Sequence, residues 1–256
     1  MPLRGISVSA APGILAGIEA RIEALELQEI ATPVTPMALY VAARAEHCLL
    51  TGLLTGHGYD AKTGARLLLL ATRTAALCEW LSGCLGEEAR AERYALAGIR
   101  AATAAGSRRH VASCMTALAF RHLVAGDPKD MLSLVHAIQA IVPRLPAGLA
   151  VTLHTREAQA LARLGDLTAS TRALDRATST LAAEAADADP AADLLSVNVD
   201  EEWLAVSSGT AWLHLGRPKK ALPHFTTLLD NGPASRRARP SLGDPPAKAA
   251  AGHPPR

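Results

Sequence analysis

Apolar residues recur along this chain at helical spacing, and small or proline-bearing turns interrupt them. Ile14, Ile18, Ile22 and Leu25 give a first helix one apolar face, and Pro12 suits its first turn, so a helix is predicted from Pro12 to about Ile30. Thr35-Pro36 reads as a cap followed by a first-turn proline, opening a second helix to about Thr55 that Gly56-His57-Gly58 closes. Asp60 starts a third, through Leu67, Leu70, Leu77 and Leu81 to Leu85.

From there a pattern repeats. Gly86-Glu87, Gly126-Asp127, Gly165-Asp166 and Gly216-Arg217-Pro218 each separate two helical segments, at intervals of 40, 39 and 51 residues. Each glycine can end a helix in the left-handed conformation without a Cβ clash. Asp127 or Asp166 can cap the next helix, and Pro128 or Pro218 fits its first turn. Seven residues before the last three glycines stand Ala119, Ala158 and Gly209, small enough for close helix contact. Four before stand His122, Leu161 and Trp212, and nine after stand Val135, Leu174 and Phe225. The first unit departs, with Glu79 in the small position. Helix-turn-helix units recurring in this way predict an all-α chain of antiparallel helix pairs stacked as a right-handed α-solenoid. The stretch Ala182 to Pro190 is read as a solvated linker or frayed helix end that lengthens the last interval, after which Asn198 or Asp200 caps a helix bearing Glu201 and Glu202 in its first turn.

Composition supports helix on helix. Of 256 residues, 53 are alanine and 38 leucine, while aromatics are 3%. The formal charge of +2 averages two unlike parts. Residues 232–256 hold six of the 16 prolines and a net +4, and are expected to be a disordered Pro/Arg-rich tail. The rest is −2. The expected organisation is a flexible N-terminus over 1–9, a solenoid over 10–231 (leading helices 10–85, degenerate repeats from about 66) and the tail. No signal peptide is expected, since Gly17, Glu19 and Arg21 break the N-terminal apolar residues, and no membrane span, since Arg66 and Arg73 stop the best apolar run, Leu67 to Leu70. Cys48, Cys78, Cys84 and Cys114 form no C-x-x-C pair and are read as small buried thiols of a cytoplasmic protein.

Leu215-Gly216-Arg217-Pro218, followed by Ala221 and Phe225, resembles a tetratricopeptide helix turn; Leu123 to Pro128 and Leu164-Gly165-Asp166 are further matches. With Trp80, Glu92-Arg93-Tyr94 and the leading helices, residues 10 to 230 resemble the tetratricopeptide-like C-terminal regions of actinobacterial helix-turn-helix transcriptional regulators. The chain starts directly on solenoid-like helices, so the resemblance implies the sensor or interaction half without the DNA reader. The abrupt tail suggests a frame-shifted or truncated remnant of further repeats. Counting back six and thirteen residues from each glycine gives the groove positions that the resemblance implies: Arg73 and Trp80, Ser113 and Phe120, Thr152 and Gln159, Trp203 and Thr210. Thr116 and Thr155 fall ten back. Aromatic area with hydrogen-bonding tips suits a peptide or small ligand, and Arg73 is a candidate for gripping a carboxylate.

The chain carries no H-E-x-x-H, Walker loop, G-x-S-x-G or dinucleotide loop, so no enzymatic role, metal or cofactor is expected. The expectation is a regulatory module that binds a protein, peptide or small signal molecule. The alternatives are a DNA-binding regulator in its own right, which needs a basic recognition helix not evident here, or a small-molecule carrier or enzyme. Ala221, Leu222, Phe225 and Leu228 are expected to leave an apolar strip on the last helix, through which the chain self-associates.

Overall fold

The computed structural model describes residues 12–31, 35–56, 59–142, 144–186 and 199–230. These are all-helical, and no strand occurs among the described residues. In order the helices are α1 (Pro12–Ala31), α2 (Pro36–Gly56), α3 (Ala61–Cys84), α4 (Glu88–Ala104) and α5 (Arg108–Ala125). They continue as α6 (Pro128–Ile141), α7 (Ala147–Arg163), α8 (Leu167–Ala186), α9 (Glu201–His214) and α10 (Pro218–Asp230).

The starts follow local chemistry. Asp60, Asp127, Asp166 and Asp200 each accept a hydrogen bond from a first-turn N–H, of Thr63, Lys129, Ala169 and Trp203 respectively, at 2.7–2.9 Å. Each such cap satisfies a donor that the helix itself cannot pair. Helix ends follow glycine. Gly86, Gly106, Gly165 and Gly216 have φ of +75°, +71°, +80° and +66°. At each, the N–H one residue later reaches back into the last turn, as Arg217 does to the Trp212 carbonyl at 2.9 Å. The side chain of Gly216→Val would occupy the left-handed region, costing about 1–2 kcal/mol. A lowered unfolding midpoint in urea is expected, and an unchanged one would remove this role for Gly216.

Two of these turns correct the sequence reading. Gly106 turns α4 into α5, a left-handed turn that the repeat pattern does not place. Gly126 is not left-handed: its φ is −124° and ψ −159°. There the Arg163 guanidinium donates to the Leu123 and Gly126 carbonyls, which removes the need for a glycine-mediated wrap.

Every helix packs on the next, and α3, α5, α7 and α9 also touch one another in turn. Small residues permit the approach. Ala119 and Ala158 are buried, and at Gly209 an added Cβ would lie 2.6 Å from the Phe225 ring. Alanine seals these contacts without losing side-chain entropy, and larger groups (Ile22, Leu67, Met131, Ile138, Leu153) fill what remains. Helix α3 is long and apolar enough to cross a membrane by length and composition, but 61% of its most apolar window is buried. It packs on α1, α2, α4 and α5, which makes it a core helix.

Other expectations shift in detail. Leu15, not Ile14, joins Ile18 and Ile22 in the core, and Ile14 is exposed. Ile18, Ile22 and Leu25 keep the face read off the sequence, and exchanging Ile14 for Leu15 turns its centre by only about 25°. Helix α8 continues to Ala186, so the first half of the expected linker is helical; residues 187–198 lie outside the described residues. Cys78 and Cys114 are buried thiols, each pushed up to about 12 by burial. Cys48 and Cys84 are exposed, contrary to expectation; Cys48 shares the outer face of α2 with Val41 and Arg44. The strip expected on α10 is not continuous among the described residues. Ala221 is buried, Phe225 is half-buried over Gly209, and Leu222 alone of the described three is exposed. The Leu228 side chain, like residues 1–9 and the tail, lies outside what is described.

Candidate functional site

The contact of α5, α7 and α9 leaves an open groove of about 600 Å³. Phe120, Leu123 and Val124 line it from α5, Arg156, Gln159 and Arg163 from α7, and Trp203, Val206, Ser207, Thr210 and His214 from α9. On α7 and α9 these residues recur three, four and seven apart, and on α5 three and four apart, the stripe that one helical face presents.

Its floor is polar and tied down. The Gln159 amide donates to the Ser207 carbonyl at 3.2 Å, linking α7 to α9. Its Oε1 accepts from Arg156 Nη1 at 3.1 Å. The Arg156 guanidinium lies 3.9 Å from the Phe120 ring centre and 5.6 Å from that of Trp203, so it is stacked between two aromatic side chains. Burial, and then the neighbouring Arg121 charge, lower its pKa to about 10, and it stays protonated at neutral pH. At the other end, His214 is held below its ordinary value by burial and by Arg163.

Behind Phe120 lies a buried ion-pair cluster. Arg121 of α5 sits 3.0 Å from Glu79 of α3 and 3.1 Å from Glu88 of α4. Its guanidinium also covers the Phe120 ring at 4.6 Å. The Cα of Gly83 makes room, since a Cβ there would strike Arg121. Burial raises the Glu79 carboxyl to about 7, against the opposing pull of Arg121. Glu79 thus occupies the position where the other units carry alanine or glycine, and Arg121 is its partner.

Four of the ten expected groove positions meet here: Phe120, Gln159, Trp203 and Thr210. Arg73, Trp80, Ser113, Thr116, Thr152 and Thr155 do not line this groove. Arg73 makes a two-point contact with Glu26 of α1. Burial works against its charge, but the Glu26 hydrogen bonds and nearby acidic groups offset this and raise its pKa. Its guanidinium is therefore already engaged, and it is not poised to grip a ligand carboxylate. Trp80 is exposed on α3, apart from the groove. Thr116 and Thr155 are buried and donate to the backbone carbonyls of Ala112 and Thr152 in their own helices, as does Thr152 to Gly148. Arg156, Arg163 and His214 were missed. They sit nine, two and two residues before their glycines, and completing the helical stripe through Gln159 and Thr210 would have found them.

No cluster of three or more His, Cys, Asp or Glu placed to hold a metal ion occurs among the described residues. Comparison with family models, curated proteins and solved structures gave no match.

Proposed function

We propose that the pairs α3–α4, α5–α6, α7–α8 and α9–α10 form a tetratricopeptide-like right-handed solenoid. Its groove holds a protein or peptide segment, as a non-enzymatic interaction module in a transcription-regulator setting. The observation that carries this is the convergence of Phe120, Gln159, Trp203 and Thr210 from three helices on one open groove. The succession of contacts along α3, α5, α7 and α9 supports the stacking. The volume also falls in the range of small-molecule sites, which favours a small signal molecule as the second reading. The groove is open, whereas a small ligand needs most of its surface covered, and this favours the peptide. Binding would regulate by shifting the packing of adjacent pairs, provided the two arrangements differ in affinity. Photo-crosslinking from Thr210 in the native cell tests the proposal: a discrete protein adduct is expected there, and none from Leu222 on α10.

A further inference from the structure

We infer that the groove across α5, α7 and α9 takes an acidic peptide segment, one carboxylate seating on Arg156 beside Phe120 and Trp203 and a second reaching toward Arg163. This rests on the docking reading above and names the chemistry of the occupant.

Arg156 is a cation without an acidic partner among the described residues. Arg156 Nε is buried and has no hydrogen-bond partner, and its one side-chain bond is to a neutral amide. No carboxylate among the described residues is in ion-pair contact with it. Glu79, which acts on it electrostatically, is paired at 3.0 Å with Arg121. Arg156 is half-buried; a guanidinium withdrawn from water is costly unless an anion meets it, and stacking on aromatic rings leaves its edge for planar, two-point contact with a carboxylate. The depressed pKa of Arg156 agrees with a charge that lacks its counter-ion.

A second cation fixes direction and spacing. Arg163 also lines the groove, and its guanidinium donates to two backbone carbonyls rather than to an acid. Arg156 and Arg163 are seven residues apart on one helix, about 10 Å of rise. That is the span of about three residues of extended chain. The described lining contains no Asp or Glu, while Val206 and Phe120 offer apolar contact. The groove runs beside α9 from Trp203 to His214, about 16 Å, or roughly five extended residues. A nucleic-acid strand fits less well. Its phosphates need a run of cations, and the chain before the tail carries a net −2.

Selection of random peptides about ten residues long on the full chain tests this. The expected winners carry two acidic residues three apart among apolar ones. For a winning peptide, Arg156→Met should weaken binding about tenfold or more. Glu→Gln in the peptide should do the same, and Arg156→Lys should recover part of the loss. The thermal midpoint of Arg156→Met should not fall, because a half-buried charge with no acidic partner is removed. Winners without acidic residues, or undiminished binding by Arg156→Met, would overturn the acidic occupant and leave a docking groove. No enrichment at all would overturn both. Displacement of a winning peptide by a thymidine oligonucleotide at physiological salt would assign the groove to nucleic acid instead.

Discussion

Arg121→Met is expected to destabilise the fold by about 3–5 kcal/mol at pH 8, because it leaves Glu79 buried without its cation. The sign of the pH dependence follows from the carboxyl. Glu79 in the fold titrates at about 7, above its ordinary 4.5. Below the ordinary value it is neutral in both states and costs nothing. As pH rises above that value, the unfolded chain releases the proton and the fold resists, so stability falls until the folded group ionises too. Without Arg121 the folded value moves higher, and the loss continues to grow past pH 7. Urea unfolding at pH 5 and pH 8 should therefore show the smaller deficit for the variant at pH 5. The residual loss there comes from the aliphatic stem and the stacking on Phe120. Adding Glu79→Met to Arg121→Met should recover most of the stability, since two well-packed apolar groups replace a buried pair at little net cost. A single variant equally stable at both pH values, or a double variant no better than the single, would show that the pair does not link α3 to α5.

Gly209→Val should cost about 2–3 kcal/mol by overpacking the contact between α9 and α10. The first added atom would already stand 2.6 Å from Phe225 Cζ and 2.8 Å from Cε2, and this ring cannot retreat without exposing itself. The better helix propensity of valine offsets only a few tenths of this. Phe225→Ala alone opens a cavity at the same place, whereas the pair Gly209→Val with Phe225→Ala restores complementary shapes. The double variant should unfold above Gly209→Val in a thermal melt. If Gly209→Val melts with the parent protein, the close packing of α9 on α10 is wrong.

These sites show how far the sequence could be read. Helix starts were legible because the signals are local: Asp60, Asp127, Asp166 and Asp200 need only their own first turn. The left-handed ends at Gly86, Gly165 and Gly216 were legible for the same reason. Gly126 was misread because the groups that satisfy its helix end come from Arg163, in another helix. Arg73 was misread likewise: its partner Glu26 is 47 residues away and nothing near it in sequence announces the pair. At Thr116 and Thr155 the residue type suited a ligand, but a buried hydroxyl on a helix readily finds a carbonyl of the preceding turn. Phe120, Gln159 and Thr210 were found because they hold the same place relative to each turn, six residues back, and Trp203 because it lies two helical turns further back on the same face. Arg156 breaks that counting: it lies on the helical stripe through Gln159, and its stacking between rings from two other helices marks it in the fold.

The central claim is that the face shared by α5, α7 and α9 is where this chain holds its partner. A photo-crosslinking residue at Thr210, half-buried in the groove, reports on that face; one at Leu222, 62% exposed on α10, reports on general stickiness. One discrete adduct is expected from Thr210, lost when Arg156→Met is added, and background alone from Leu222. Adducts of equal yield from both positions, or from Leu222 alone, would contradict it.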